Sequence, residues 1–179
     1  MTTILAISGS LRAGSSNAAV LQAIAALAPD GIQIVLYSGL ADLPHFNPDL
    51  DTENPPSAVR DFRSQLLASD AVIISSPEYA HGVPGSLKNA LDWLVRSGEL
   101  YEKPVALINV SPRSTHAQAS LAETLSTMTA KLVPDACVTI ALPGRNMDAV
   151  TICADLEISR ILSLAVVILV SAIAPVARA

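Results

Sequence analysis

Short apolar runs alternate with helical stretches along the chain. Thr3–Ser8, Gln33–Tyr37, Ala71–Ser75, Val105–Val110 and Ala136–Ala141 are runs of aliphatic and β-branched residues of strand length. Between and after them lie stretches that predict helices: Asn17–Ala28, Ala58–Ala68, Pro84–Ser97, Gln118–Lys131 and a last one from about Thr151 to Ala174. The Pro55-Pro56 pair opens the second of these, since proline is tolerated in a first turn, and Gly98 can terminate the third. Five strands alternating with helices predict right-handed crossovers and a parallel sheet. The strands read as continuous apolar runs rather than as alternating ones, so the sheet is expected to be covered on both faces. Ligands of such sheets sit outside the carboxyl ends of the strands, at the point where the strand order reverses. The loops after the first, third and fourth strands are therefore the places where chemistry is expected. Gly39–Asn54, long and polar, reads as a surface loop.

Composition narrows the picture. The chain has 179 residues, enough for one domain over residues 1–179, and 51% are hydrophobic against 15% charged. Aromatics are only 3%, so the core has to be built from Ala, Val, Ile and Leu. The net charge is -5 and no basic stripe is present, which sets nucleic acid aside as a partner. A phosphate would have to be held by local donors against the field of the whole molecule. Cys137 and Cys153 match no CxxC redox or zinc pattern and read as small buried residues. His45, His81 and His116 share no metal-ligand spacing, so no metal site is expected. The chain enters its first strand without a basic leader, and a cytoplasmic location is expected. Asn109-Val110-Ser111 matches a glycosylation sequon but closes an apolar strand, and reads as a chance match.

The first loop is Ser8-Gly9-Ser10-Leu11-Arg12-Ala13-Gly14-Ser15-Ser16-Asn17, with a helix following. A helix N-terminus carries free N–H groups and a partial positive charge. Glycines let the backbone approach a ligand, Ser10, Ser15 and Ser16 offer hydroxyls, and Arg12 offers a charge-assisted fork to a phosphate. The plainer reading is a capped turn in which a serine closes the helix. One arginine among three serines and two glycines favours an anion cradle. Gly9 and Gly14 are spaced as in a P-loop, but Ser15 stands where that loop needs lysine, which argues against nucleoside triphosphate hydrolysis. No GxGxxG is present, and a single monophosphate fits best. No GxSxG elbow is present either, which argues against a serine hydrolase.

The third strand runs into Ser76-Pro77-Glu78-Tyr79-Ala80-His81-Gly82-Val83-Pro84-Gly85. Its prolines and glycines make a stiff loop that can present N–H groups to a flat heterocycle, with Tyr79 against the ring face. Together, Gly9-Ser10-Leu11-Arg12-x-x-Ser15-x-Asn17 and Pro77-Glu78-Tyr79…Pro84-Gly85-x-Leu87-Lys88-Asn89-x-x-Asp92-Trp93 resemble the NADPH-dependent FMN reductase family, which includes flavodoxin-like quinone, azo-dye and chromate reductases. The resemblance implies a flavodoxin-like three-layer sandwich with a five-stranded parallel sheet in order 2-1-3-4-5. It implies that Ser10, Arg12, Ser15, Ser16 and Asn17 hold the FMN phosphate, and that Pro77, Glu78 and Tyr79 contact the isoalloxazine, mainly through backbone. Lys88, Asn89, Asp92 and Trp93 match a helix that is more structural than catalytic. After the fourth strand, Ser111-Pro112-Arg113-Ser114-Thr115-His116 stands where the family often has a glycine-rich loop; Ser111 and Arg113 are expected to flank the flavin.

The implied chemistry is ping-pong: NADPH or NADH passes a hydride to FMN, and a small-molecule acceptor such as a quinone then uses the same space. The flavin carries the reaction, so no catalytic side chain is expected. The alternatives are a flavodoxin-type electron carrier, which usually covers its flavin with aromatics, and a flavin-binding regulatory domain. Ile161–Ile173 is apolar nearly all round but too short for a bilayer, which needs ~20 such residues. That predicts no membrane partner and a covered helix, hence at least a dimer, with Gly39–Asn54 and Trp93 as candidate contributors; the resemblance implies a homodimer or homotetramer.

Overall fold

The computed structural model describes residues 1–142 and 147–173. Along the chain come β1 (Thr2–Ser8), α1 (Ser16–Leu27), β2 (Ile32–Tyr37), α2 (Ser57–Leu67), β3 (Ala71–Ser75), α3 (Gly85–Asp92) and β4 (Pro104–Asn109), then α4 (Thr115–Thr127), β5 (Lys131–Leu132), β6 (Val138–Thr139), α5 (Ala149–Ala154) and α6 (Leu156–Ser171). The strand pairs are all parallel and the order is β2-β1-β3-β4-β5, with β6 also on β4. This is the expected order. The chain leaves β1 for β2 on one side and returns to β3 on the other, so the reversal falls between β1 and β3.

Strand side chains alternate between faces, and the alternation divides the interior into two cores. Ile4, Ala6, Ile73 and Ile108 pack with α1, α5 and α6. Leu5, Ile7, Val72 and Leu107 pack with α2, α3 and α4. Burial on both faces explains why the strands lack a polar stripe.

The fifth position differs from the single strand expected over Ala136–Ala141. Two short strands occupy it in series: Leu132 lies opposite Val105, and Val138 opposite Ile108. Pro134, which has no N–H to give a ladder, opens a 3-10 turn between them (Pro134–Ala136). Facing this gap, the Leu107 N–H donates to Cys137 Sγ at 3.3 Å. The preceding helix stops before Lys131 because Thr129 adopts φ +60, and Lys131 starts β5. The helix expected over Pro84–Ser97 is regular only to Asp92 and continues as turns to Gly98, at φ +76. The last helix is two helices. Asp155 ends α5 and caps α6, its carboxylate accepting the N–H groups of Glu157 and Ile158 at 3.1 and 3.0 Å. Ala174, the expected end, lies outside the described residues. Among the described residues no helix is long and apolar enough to cross a membrane.

Candidate active site

The register sets Ser8 level with Ser75, so the loops after β1 and β3 leave the sheet side by side. Gly9 is where they touch. Its N–H donates to the Ser75 carbonyl at 2.8 Å. A Cβ there would stand 2.6 Å from Ser76 Oγ and 3.0 Å from Leu87 Cδ2, so the contact admits only glycine without a shift.

From Gly9 the first loop turns on its own serines. The N–H of Ser10 donates to Ser8 Oγ and that of Arg12 to Ser10 Oγ, both at 3.3 Å. Ser15 is the N-cap of α1; its Oγ accepts from the N–H groups of Asn17 and Ala18 at 3.2 and 3.4 Å. Capping uses the lone pairs of the hydroxyl and leaves its proton to donate. The capped turn and the anion cradle are thus compatible at one residue. Asn17 is buried at the cleft floor, where Ser75 Oγ lies 2.9 Å from its Oδ1 and 2.8 Å from the Ile108 carbonyl. The exposed Arg12 passes beside Gly14, its Nη2 3.7 Å from where a Cβ would stand.

In the second loop, Tyr79 and Gly82 exchange two backbone hydrogen bonds at 3.0 and 2.9 Å, closing a tight turn. Ala80 and His81 at its tip adopt φ +49 and +61, a left-handed conformation that non-glycine residues rarely take. Two contacts tie this loop to the start of α4. The Glu78 carboxylate accepts the Ala117 N–H at 2.8 Å, where the helix dipole favours negative charge. The rings of His81 and His116 stack, with centroids 4.3 Å apart and planes at 22°. Nothing in the local sequence signals that pairing, because 35 positions of chain separate the two residues. Among the described residues no group of three or more His, Cys, Asp or Glu could hold a metal.

Asn109, which no sequence motif marks as a binding element, shapes the third loop. It is 4% exposed. Its Oδ1 accepts the Ser111 N–H at 3.0 Å and its Nδ2 donates to the Ser114 carbonyl at 3.3 Å. The Ser114 N–H donates to the Ser111 carbonyl at 2.9 Å, closing a turn with Pro112 and Arg113 at the corner. An asparagine so buried and engaged cannot take a glycan, as its place at the end of an apolar strand indicated. Cys137 and Cys153 are free thiols, and burial pushes the Cys137 thiol above its usual range.

The three loops enclose an open cleft of about 1090 Å³. Ser10, Arg12, Ser15, Ser16 and Asn17 border one end of it; Pro77, Glu78, Tyr79 and Ser111 border the other. Ser76, Asn109, Arg113 and Leu142 also line it. Hydroxyls, a guanidinium and a helix N-terminus at one end fit a single phosphate. At the other end two stiff turns leave a slot between them, with one aromatic beside it. The volume lies just above the usual range for ligand clefts, about 300–1,000 Å³. These residues fit FMN in size and in donor chemistry.

Asn89 and Trp93, by contrast, turn away from the cleft. Asn89 Nδ2 and Trp93 Nε1 both donate to the Pro44 carbonyl, at 3.0 and 2.8 Å, and Asn89 Oδ1 accepts the Phe46 N–H at 2.7 Å. Phe46 meets the Trp93 ring edge-on at 5.1 Å. Lys88 and Asp92 pair along the surface of α3. This half of the motif pins the long loop after β2 to the domain. Trp93 is fully buried, so it offers no face to another subunit, contrary to the role in assembly considered for it.

A parallel sheet in this order, with a cleft lined by the loops at the strand reversal, defines a flavodoxin-like protein. Within that class the chain belongs to the NADPH-dependent FMN reductase family, whose pattern it matches over residues 2–142. It is 40% identical over 127 residues to an NAD(P)H-dependent FMN reductase of Pseudomonas aeruginosa, a match covering 68% of each chain. It is 36% identical over 104 residues to a quinone reductase of Escherichia coli, covering 58% of this chain and 54% of that one. Among solved structures, the flavoenzyme NAD(P)H:(acceptor) oxidoreductase of Paracoccus denitrificans superposes with a TM-score of 0.75 at 25% identity, over 96% of this chain and 97% of that one.

Proposed function

We propose that this chain is an FMN-containing oxidoreductase that takes a hydride from NADPH or NADH and delivers it to a quinone or a similar small acceptor. The observation that carries the reading is the cleft itself, where the serines and the arginine before α1 share one open space with the stiff turns after β3 and β4. Ser10, Arg12, Ser15, Ser16 and Asn17 hold the phosphate. Pro77, Glu78, Tyr79 and Ser111 border the ring, Glu78 through its backbone because its carboxylate is engaged on α4. When bound, FMN supplies the hydride chemistry. The chain's own part is to fix the ring by its phosphate and its edge, and to leave one face reachable. Among the described residues only one aromatic, the half-exposed Tyr79, borders the slot, which suits hydride transfer better than a covered electron carrier. Donor and acceptor then take turns in the same space. The protein is read as one cytoplasmic domain over residues 1–179, working as a homodimer or homotetramer without a nucleic-acid or membrane partner.

The test combines binding with turnover. Purified protein should bind FMN more tightly than riboflavin by fluorescence titration, because the cradle contributes only to the phosphorylated form. The loaded protein should oxidise NADPH or NADH in steady state only when a quinone is present or oxygen substitutes for it. Equal affinity for riboflavin and FMN would remove the cradle from the cofactor site; FMN binding without turnover would favour a carrier or regulatory domain.

A further inference from the structure

We infer that Arg113 forms a second anion subsite in this cleft and that its ligand is a phosphate of the incoming pyridine dinucleotide. The inference rests on the reading of the cleft given above. Among the described residues two guanidinium groups line it: Arg12 on the loop after β1 and Arg113 on the loop after β4. In the sheet β3 lies between those strands, so at ~4.8 Å per strand the two loops start about 10 Å apart. The monophosphate cradle of α1 is at the Arg12 end. Arg113 therefore marks a separate positive centre beside the ring slot.

Its surroundings do not neutralise it. The chain carries a net charge of -5, and its other cations are mostly engaged. Arg60, Arg96, Lys103 and Lys131 donate to backbone carbonyls, while Arg63 and Lys88 pair with carboxylates. Among the described residues Arg113 has neither kind of partner. Glu78, the carboxylate that borders the same cleft, is held on the Ala117 N–H and makes no ion pair with Arg113. The support beneath Arg113 is fixed in advance. Asn109 holds the turn at Ser111 and Ser114, and Pro112 locks the backbone just before it. A side chain presented from a rigid corner loses less entropy on binding than one on a loose loop. A guanidinium prefers phosphate because its planar fork matches two oxygens at once. FMN has one phosphate, which the α1 cradle receives. A pyridine dinucleotide brings a diphosphate, and NADPH adds a third phosphate on the ribose.

The experiment uses the FMN-loaded protein and the variants R113A and R113K. Calorimetry with oxidised NADP+ and NAD+ measures binding without turnover; steady-state kinetics with NADPH and NADH separates KM from kcat. We expect R113A to weaken NADP+ binding by about tenfold to a hundredfold, the loss of a hydrogen bond to a charged group. The effect should fall on KM rather than on kcat, and R113K should recover part of it. Weakening for NADP+ alone would identify the ribose phosphate; equal weakening for NAD+ would identify the diphosphate. Unchanged dissociation constants for both dinucleotides in R113A would overturn the inference. So would a change confined to FMN affinity or to the flavin midpoint potential, which would assign Arg113 to the ring. Wild-type protein that binds FMN but neither dinucleotide would overturn the reading of the cleft, an outcome distinct from an active enzyme indifferent to R113A.

Discussion

At Ser15 the hydroxyl oxygen accepts from two N–H groups of the first turn of α1 while its proton is left to donate. The same orphan N–H groups that call for a cap also attract an anion, so a βα turn that begins as ordinary capping needs little change to hold a phosphate. Arg12 adds the charge. Arg12→Ala is expected to weaken FMN binding by about 1.5–3 kcal/mol, the range for hydrogen bonds to charged groups, as read by fluorescence titration. Tyr79→Ala should cost less, because that ring is 57% exposed and contributes contact area rather than charge. An Arg12→Ala protein with the wild-type dissociation constant would remove Arg12 from the site. Gly9 makes the complementary point about space. With Ser76 Oγ 2.6 Å from a would-be Cβ, Gly9→Ala should push the first two loops apart. The expected cost is about 1–3 kcal/mol of stability, as for other overpacked sites, together with weaker FMN binding. Chemical denaturation and flavin titration on one sample would check both.

Between elements, the contacts that hold the site's frame lie behind it. The loop after β2 is anchored from α3 through the Pro44 carbonyl, and from α2 through Arg63. Arg63 pairs with Asp51 at 2.9 Å and with Glu99 at 3.7 Å, and also donates to the Trp93 carbonyl; all three side chains are nearly buried. Such a cluster adds little over an apolar replacement, but removing one member strands the others away from water. Arg63→Ala is therefore expected to destabilise the fold by about 3–5 kcal/mol, measured as the shift of a urea unfolding curve. A loss below 1 kcal/mol would mean that water reaches the two carboxylates freely. The helix motif that resembles the family's thus serves the architecture, with Asn89 and Trp93 holding a loop rather than touching a ligand.

For the whole molecule, the outer side of α6 decides the case for assembly. The apolar run Ile161–Ile173 implied a helix with no polar face. In the fold, Ile158, Leu162, Ala165, Val166 and Leu169 are buried, while Glu157, Arg160, Leu164, Val167 and Ser171 face outward. Leu164 and Val167 are 56% and 50% exposed, so the outward stripe is mixed rather than wholly apolar. With Val150 and Leu156, 77% and 86% exposed, these residues still offer apolar surface at one side of the domain. We expect a dimer or tetramer by light scattering at micromolar concentration. A monomer mass there would leave these side chains as solitary surface hydrophobics of the kind many monomers carry.

By itself the sequence determined the layers and the place of the site. Strands buried on both faces have to be apolar throughout, and crossover helices have to return the chain in one sense, so the pattern led to a parallel sheet and to its carboxyl edge. The first loop stood out because serines, glycines and an arginine precede a helix, and its residues do line the cleft. What stayed hidden depends on partners far apart in the chain. Ser75 beneath Asn17, Asn109 beneath the third loop and the stack of His81 on His116 exist only because three strand ends stand side by side. The split of the fifth strand was equally out of reach, since Lys131 reads as the end of a helix and only the turns at Thr129 and Pro134 set β5 ahead of the expected run Ala136–Ala141. Local periodicity specifies which faces are buried; only the packed sheet decides which polar side chains meet across it.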